Sequence, residues 1–291
     1  MIVECVPNFS EGRDPGIVAA LARAVASVHG AWLLDTTSDA DHNRSVLTFA
    51  GNPESVARAA FAATHAALER IDLTKHAGVH PRVGAADVIP IVPVCEVSLE
   101  DCVALARDLG RRIWDELRIP VFFYEGAAII EDRRRLENVR RLARAGAHPD
   151  IGEGRHATAG AAVVGAREFL IAWNINLRTQ DVEFARKVAR EIRESSGGFT
   201  CVKALGLRLE SRGETQVSIN LTDFRRTPLH TIFDAVAEQC RAAGIEIAGS
   251  ELIGMIPEAA LEASRGHDLC WLNLRPELVL ERRLRELAAI K

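Results

Sequence analysis

Residues 76–93 read HAGVHPRVGAADVIPIVP, a polar loop followed at once by an apolar run. The run 87–94 has the length and composition of a buried strand. The loop before it is not expected to be helical, because Pro81 disfavours helical geometry at His80 and two glycines weaken any helix around it. The stretch therefore predicts a polar loop held at the start of a strand, where small-molecule sites are often found.

The segments around this stretch repeat one order of elements. Alternating apolar runs, Asp-Pro and Asn-Pro helix starts and the turn SDADHN predict the order β-α-β-β-α-β up to residue 94. The same order returns between residues 168 and 248, without obvious identity between the two copies. It is the order of the split βαβ, ferredoxin-like unit. We predict an α/β (α+β) fold of two ferredoxin-like βαββαβ subdomains, residues 1–177 and 178–291, with mixed sheets and a ligand groove between them.

Local signals mark several helix ends. Ser98 and Asp101 predict a capping box for a helix that follows the first repeat. Thr179 is expected to cap the first helix of the second subdomain, and a last helix, 276–289, is expected to pack as a structural cap.

Six arginines crowd the segment 131–146, EDRRRLENVRRLARAG, called here the arginine-rich segment. They are spread too widely around a helix to form one stripe. A solvated charged face is the favoured interpretation, and an anion-binding wall is the alternative.

Composition restricts the class of protein. The 291 residues are 48% hydrophobic and 26% charged with a formal net charge of −4, which is ordinary for a globular protein and gives no case for nucleic-acid or membrane partners. No apolar run approaches the ~20 residues of a membrane span, and the N-terminus lacks a secretory pattern. Six scattered cysteines without a C-x-x-C pair predict reduced thiols. We expect a cytoplasmic protein.

Two histidines in the loop raise the question of metal binding. His76 and His80 have i, i+4 spacing, but the loop is not helical, the glutamate of H-E-x-x-H is absent, and no Cys or His cluster offers a third ligand. We therefore expect no metal. General acid/base chemistry suits a histidine, and hydrogen bonding to a loop carbonyl is an equally open alternative. His80 is the better candidate, because Pro81 and Arg82 restrict its backbone.

Polar side chains near strand ends are candidate ligand contacts. Arg13, Arg44 and Arg82 follow or sit inside turns, where each can clamp a carboxylate or pair with a surface acid. A second group of polar side chains lies between the first predicted strand and the helix that follows it. These side chains can either contact a ligand or form the turn. They are Asn8, Ser10 and Glu11.

Two asparagines of the second subdomain form a third group. Asn174 and Asn176 alternate along one strand and therefore face the same side of it. A polar ligand face and a cross-domain hydrogen-bond network are both open interpretations.

Segments in chain order resemble the formiminotransferase family over nearly the whole chain. They are ECVPNFSEGR, DHNRSVLTFAG, HAGVHPRVGAADVIPIVPV, GAREFLIAWNINL, QVSINLTDF with its following LH, and ELIGMIP.

This resemblance implies an activity. The family transfers a formimino group from N-formimino-L-glutamate to N5 of tetrahydrofolate, late in histidine breakdown. It implies that His80 is the catalytic histidine, that tetrahydrofolate is a co-substrate held between the subdomains, that the protein is a homodimer, and that no cyclodeaminase domain is present.

The resemblance also implies further site residues. Asn43 and Gly84 lie in the matched segments, Asp39 lies just before one of them, and the resemblance assigns the portion from Gly160 to Gly165 to folate contact. Thr37 stands where some relatives are expected to have an acidic residue, so that Asp39 or Asp41 is expected to orient the site, or the substrate differs. A folate-dependent glutamate formyltransferase, a non-catalytic folate-binding protein and a metal-dependent hydrolase are the competing interpretations.

Overall fold

The computed structural model of the protein describes residues 1–78 and 82–289. The chain forms two compact units, Met1–Glu168 and Phe169–Lys291. The sequence places the boundary after residue 177, whereas the structure places it earlier. The reason is that the strand 171–177 forms its hydrogen bonds with strands of the second unit.

The first unit contains seven strands and four α-helices among its described residues. The strands are β1 (Ile2–Cys5), β2 (Asn8–Phe9), β3 (Ala31–Asp39), β4 (Arg44–Gly51), β5 (Ala86–Cys95), β6 (Val121–Glu125) and β7 (Ala162–Ala166). The helices are α1 (Pro15–Ala26), α2 (Pro53–Arg70), α3 (Leu99–Leu117) and α4 (Leu136–Arg144).

The first sheet is a ferredoxin-like core with a parallel extension. β1 and β2 form one interrupted central strand, antiparallel to β4 on one side and to β5 on the other, and β3 pairs beyond β4. β7 then pairs parallel to β5, and β6 pairs parallel to β7. The sheet is therefore mixed, as predicted. β7 was not predicted, because its sequence AVVGA continues a loop rich in glycine and alanine.

Apolar residues pack on both faces of this sheet. On one face, Phe49 and Ile91 pack with Leu21 and Ile113 of the helices. On the other face, Phe122 and Tyr124 form a smaller cluster with Val139 of α4. α4 is therefore a structural part of the unit, and its side chains can reach the sheet.

The second unit repeats the ferredoxin-like order. Its described strands are β8 (Ile171–Leu177), β9 (Val202–Leu209), β10 (Glu214–Leu221) and β11 (Ile247–Ile253), and its helices are α5 (Val182–Ile192), α6 (Leu229–Ala242), α7 (Glu258–Glu262) and α8 (Leu280–Ala289). The strand order is β11-β8-β10-β9, with antiparallel pairing throughout. The predicted pair of βαββαβ units is thus confirmed, with a mixed sheet in the first unit only.

The helix caps differ from the prediction at one place. Ser98 and Asp101 form the predicted capping box. α5, however, is capped by Asp181, whose carboxylate accepts from the N–H groups of Glu183 at 3.0 Å and Phe184 at 3.2 Å. Thr179 instead accepts from the N–H of Asp181 at 3.2 Å. The prediction of Thr179 as the cap was wrong, because the carboxylate of Asp181 can also accept hydrogen bonds from the first amides of the helix, as a threonine hydroxyl can.

The arginine-rich segment is less exposed than expected. Arg133 pairs with Asp150 at 2.5 Å, and Arg140 pairs with Asp87 at 2.6 Å, all four side chains being largely withdrawn from solvent. A wholly solvated face was therefore wrong for these two arginines. The packing of α4 through Val139 carries Arg140 to the edge of the buried face, whereas Arg133 precedes α4 and lies over the ring of Phe122.

All six cysteines lie within the described part of the chain and are free thiols, as predicted. Three of them are buried, namely Cys5, Cys102 and Cys240, and burial raises the pKa of each of these thiols. No helix among residues 1–78 and 82–289 is long and apolar enough to cross a membrane.

The corrected cap of α5 gives a stability prediction. Asp181→Ala should lower the free energy of unfolding by about 1 kcal/mol, because two amides at the start of α5 lose their acceptor. Thr179→Ala should cost less than about 0.5 kcal/mol, as is usual for a half-buried residue outside the core and outside a cap. Urea unfolding of both variants measures the difference. An equal or larger loss for Thr179→Ala would contradict the assignment.

Candidate functional site

Six residues line a narrow recess in the first unit, called here the arginine recess: Phe9, Ser10, Asn43, Arg44, Arg82 and Asp87. Phe9 and Ser10 lie at the end of β2, Asn43 and Arg44 at the start of β4, and Arg82 and Asp87 before and at the start of β5. Four of them, Ser10, Asn43, Arg44 and Arg82, are residues that the sequence predicts for the site. The fold therefore brings together predicted residues that are far apart in the chain.

Asn43 joins the turn between β3 and β4 to two other segments. Its φ of 45° lies in the left-handed region, which asparagine tolerates better than most residues. Its Oδ1 accepts from the N–H of Gly12 at 3.0 Å, and its Nδ2 donates to the carbonyl of Ala77 at 3.0 Å. Asp39 accepts from the N–H of His42 at 2.7 Å in the same turn. Both predicted side chains hold backbone and thereby fix the start of β4.

Arg44 extends from this fixed turn toward the central strand. Its Nη2 donates to Oδ1 of Asn8, whose Nδ2 donates to the carbonyl of Val6 at 2.9 Å. Burial lowers the pKa of Arg44 to about 9; the positive charge of Arg140 acts in the same direction and Asp87 opposes it. An anion bound beside this guanidinium would favour its charged form.

Asp87 is the acid among the lining residues. It is 2% exposed, and its Oδ1 accepts from the N–H groups of Val83 at 2.5 Å and Gly84 at 3.4 Å. Its Oδ2 accepts from Nη2 of Arg140 at 2.6 Å. Three guanidinium groups, those of Arg44, Arg82 and Arg140, therefore lie near the carboxylate of Asp87. Guanidinium groups are well suited to bind a carboxylate.

Arg82 is held against His76 at the mouth of the loop. Its Nη1 contacts the His76 ring, and its Nη2 donates to the carbonyl of His42 at 3.4 Å. The Nε2 of His76 lies 3.0 Å from the carbonyl oxygen of Asn43. Burial lowers the pKa of His76, and the charge of Arg82 lowers it further. His76 is therefore neutral near pH 7 and supports Arg82.

His80 lies outside the described residues, together with Val79 and Pro81. The described residues at both ends, Gly78 and Arg82, lie beside the turn that carries Asn43. A Cβ on Gly78 would come within 2.6 Å of the carbonyl oxygen of His42. The general acid/base role of His80 stays a prediction.

Two predicted side chains at the edge of the recess hold local backbone. Glu11 accepts from the N–H groups of Arg13 at 2.7 Å and Asp14 at 2.9 Å, which forms the turn before α1. Arg13 donates through Nε to the carbonyl of Ala40 at 2.9 Å, so it bridges this turn to the one between β3 and β4. Their contacts with a ligand stay predictions.

The three predicted glycines have close backbone neighbours. Gly84 pairs with Gly160, and a Cβ on Gly84 would lie 2.0 Å from the carbonyl oxygen of Ala161. The carbonyl of Gly84 also accepts from the Ser10 hydroxyl at 2.7 Å. Gly165 lies in β7, where a Cβ would lie 2.4 Å from the ring of Tyr124. Packing alone accounts for these glycines, and their contact with folate stays a prediction.

The two predicted asparagines lie in β8 of the second unit and face the same side, as their alternation indicates. Asn176 accepts from Nε2 of Gln216 on the neighbouring strand at 2.9 Å. The Nδ2 of Asn176 and the Oε1 of Gln216 are buried, and the described residues offer neither a hydrogen-bond partner. The bond to Gln216 stays within one sheet, so it is not the cross-domain network considered above. A ligand face stays a prediction.

Phe9 and Asp87 in the recess, and Arg140 beside it, are the residues of this site that the sequence did not indicate. Asp87 carried a signal, since a lone acid at the start of an otherwise apolar strand needs a buried partner. Arg140 carried no such signal, because nothing in the sequence distinguishes it from the other arginines of the arginine-rich segment. Among the residues that the structure describes, no group of three or more His, Cys, Asp or Glu side chains is arranged to hold a metal ion.

Comparison with known proteins identifies two matching domains. The N-terminal subdomain of the formiminotransferase domain matches residues 2–167, and the formiminotransferase domain matches residues 172–268. The chain is 44% identical over 271 residues to a glutamate formimidoyltransferase of Thermoplasma acidophilum, covering 89% of each chain. It is 42% identical over 270 residues to one of Streptococcus pyogenes, covering 89% of this chain and 90% of that one. A formimidoyltransferase-cyclodeaminase of Gallus gallus is 41% identical over 276 residues, which cover 89% of this chain and 51% of that protein.

The lowered pKa of Arg44 gives a pH prediction. With a pKa of about 9, ligand-free Arg44 loses its proton as the pH rises through about 9, whereas a bound carboxylate favours the protonated form. Affinity for a dicarboxylate such as glutarate should therefore be constant below about pH 8 and fall as the pH rises through and above 9, by at most about tenfold per pH unit. Calorimetric titration from pH 7.5 to 10.5 measures this, with Arg44→Met as the control that should bind weakly and with a flatter pH dependence. An affinity unchanged up to pH 10.5 in the unsubstituted protein would contradict the role of Arg44.

Proposed function

The chain belongs to the formiminotransferase family, and on that premise we propose that it is a glutamate formimidoyltransferase, with N-formimino-L-glutamate as donor and N5 of tetrahydrofolate as acceptor. The observation that most directly supports this donor is the arginine recess, whose lining places the guanidinium groups of Arg44 and Arg82 together, beside the ion pair of Asp87 with Arg140. The reaction places the protein in histidine degradation, and we include a homodimer in the proposal.

The donor suits the charge of the recess. N-formimino-L-glutamate carries two carboxylates, and arginine guanidinium groups bind carboxylates through paired hydrogen bonds. Arg44 is fixed by Asn8 and by the turn of Asn43, and Arg82 is fixed by His76. Two arginines with restricted side chains bind such a group at a lower entropic cost than flexible surface arginines would.

The chemistry requires movement of a proton between two nitrogens. N5 of tetrahydrofolate attacks the formimino carbon, a C–N5 bond forms, and the carbon becomes tetrahedral. N5 must then lose a proton and the nitrogen of glutamate must gain one before its C–N bond breaks and glutamate leaves. We assign both transfers to His80, which accepts the first proton and returns it to the leaving nitrogen. The protonated formimino group carries its own positive charge, so the proposal includes no metal.

Gly160, Gly165, Asn174 and Asn176 are proposed to contact tetrahydrofolate. The Nδ2 of Asn176 and the Oε1 of Gln216 are buried and have no hydrogen-bond partner among the described residues, which suits a ligand with a hydrogen-bonding edge.

One assay separates the proposal from its alternatives. The protein is incubated with tetrahydrofolate and either formimino-glutamate or formyl-glutamate, and the folate absorbance is followed. The proposal predicts turnover with the formimino donor. Turnover with the formyl donor alone would indicate a formyltransferase, and binding of folate without turnover of either donor would indicate a non-catalytic binding protein.

The role of His80 has its own prediction. His80→Ala should lower kcat by at least about 10²-fold, because general acid/base catalysis contributes roughly 10²–10⁴-fold. The KM for the donor should change little, since the carboxylate contacts are assigned to the arginines. His76→Gln is the matched control, and it should keep kcat within about tenfold of the original value. A near-normal rate for His80→Ala in the purified protein would overturn the assignment.

A further inference from the structure

Asp87 and Arg140 form a buried pair directly behind the proposed donor site. Asp87 lines the recess with Arg44 and Arg82, whereas Arg140 reaches it from α4. The Asp87 and Arg140 side chains are 3% and 12% exposed, and the Nε of Arg140 is buried without a hydrogen-bond partner among the described residues. Neither residue was among those expected to contact a substrate.

The same carboxylate also holds the backbone that carries Arg82. It accepts from the N–H groups of Val83 and Gly84. Ser10 holds the carbonyl of Gly84 at 2.7 Å, and the N–H of Ala161 donates to the carbonyl of Val83 at 3.2 Å. The two residues that follow Arg82 are thus fixed on both sides.

The charges of the pair act in opposite directions on the two binding arginines. Burial is the main cause that lowers the pKa of both Arg44 and Arg82; Asp87 raises the pKa of both, and Arg140 lowers it. Each member of the pair is therefore close enough to change the recess electrostatically. If Asp87 lost its charge, Arg140 would become a third guanidinium available to the substrate. If Arg140 lost its charge, Asp87 would be free to pair with Arg44 or Arg82 in place of the substrate.

We propose that Asp87 is a positioning residue that pairs with Arg140 and fixes the 82–84 backbone, so that the donor carboxylate is directed to Arg44 and Arg82 and not to Arg140. This inference rests on the proposed function. It assigns the pair a specificity role, in which the carboxylate of Asp87 prevents binding of the donor in a wrong orientation against Arg140.

The proposal predicts KM changes of opposite sign for the two partners of one ion pair. Asp87→Asn should lower the KM for formimino-glutamate at least threefold, because the recess gains net positive charge. It should also lower kcat by about 10²-fold, because misplacement of a reactive group by about 1 Å reduces the rate by about that factor. Arg140→Met should raise the KM at least tenfold, because Asp87 then competes for Arg44 and Arg82. The double variant Asp87→Asn/Arg140→Met should return the KM to within threefold of the original value.

A second buried pair in the same unit supplies the matched control. Asp150 pairs with Arg133 at 2.5 Å and accepts from the N–H of Phe123 at 2.8 Å, so it resembles Asp87 in burial and in bonding. It does not line the arginine recess. Asp150→Asn and Arg133→Met should lower the melting temperature as the recess variants do, yet leave the KM within twofold.

The experiment measures steady-state kinetics for these variants and, separately, calorimetric Kd values for glutarate. Opposite shifts in KM and in Kd for Asp87→Asn and Arg140→Met support the proposal. Shifts in the same direction, or shifts no larger than those of the control pair, overturn it. If the unsubstituted protein transfers neither formimino nor formyl groups, the proposed function fails, and the glutarate Kd values alone decide the role of Asp87. If either single variant does not fold, Asp87→Glu keeps the charge and should keep the Kd within threefold, and a larger change overturns the proposal.

Discussion

Three guanidinium groups and one carboxylate share a partly buried space in the first unit, and the geometry of the proposed site depends on how their charges are balanced. Asp87 pairs with Arg140, and Arg44 and Arg82 remain beside them. Like charges at short range in a partly desolvated region raise the free energy of the folded state unless counter-charges are present. Asp87 supplies a counter-charge within the recess, and the carboxylate of the proposed substrate would supply another. The proposed preference for a carboxylate follows from this grouping of guanidinium groups.

The fold makes this arrangement possible by interrupting its central strand. β1 and β2 are separated by Val6 and Pro7, and the polar residues of β2 and the turn after it face β4 and the start of β5. The first sheet also has a helix on its second face, and that helix delivers Arg140. A ferredoxin-like core covered on one face only would lack the partner of Asp87. The parallel extension with its α4 helix thus contributes directly to the proposed site.

Much of the fold could be predicted from local signals, because helix starts, turns and alternating strands are determined largely by residues that are neighbours in the sequence. The two βαββαβ orders and the capping box at Ser98 are of this kind. β7 could not be predicted in the same way, because its small residues resemble the adjoining loop and its pairing is set by distant strands. The predicted Ser10, Asn43, Arg44 and Arg82 meet in one recess, whereas the pair of Asp87 and Arg140 follows only from the packing of α4. His80 lies in the loop beyond the described residues, so its role rests on the chemistry and on the family.

The arginine recess is proposed to bind the carboxylate of the donor through Arg44 and Arg82. A crystal structure of the protein with bound formimino-glutamate, or with glutarate in its place, tests it most directly. We expect a carboxylate within hydrogen-bonding distance of both guanidinium groups, with Asp87 still paired to Arg140. A carboxylate bound elsewhere on the protein, or one paired with Arg140 while Asp87 turns away, would contradict the account.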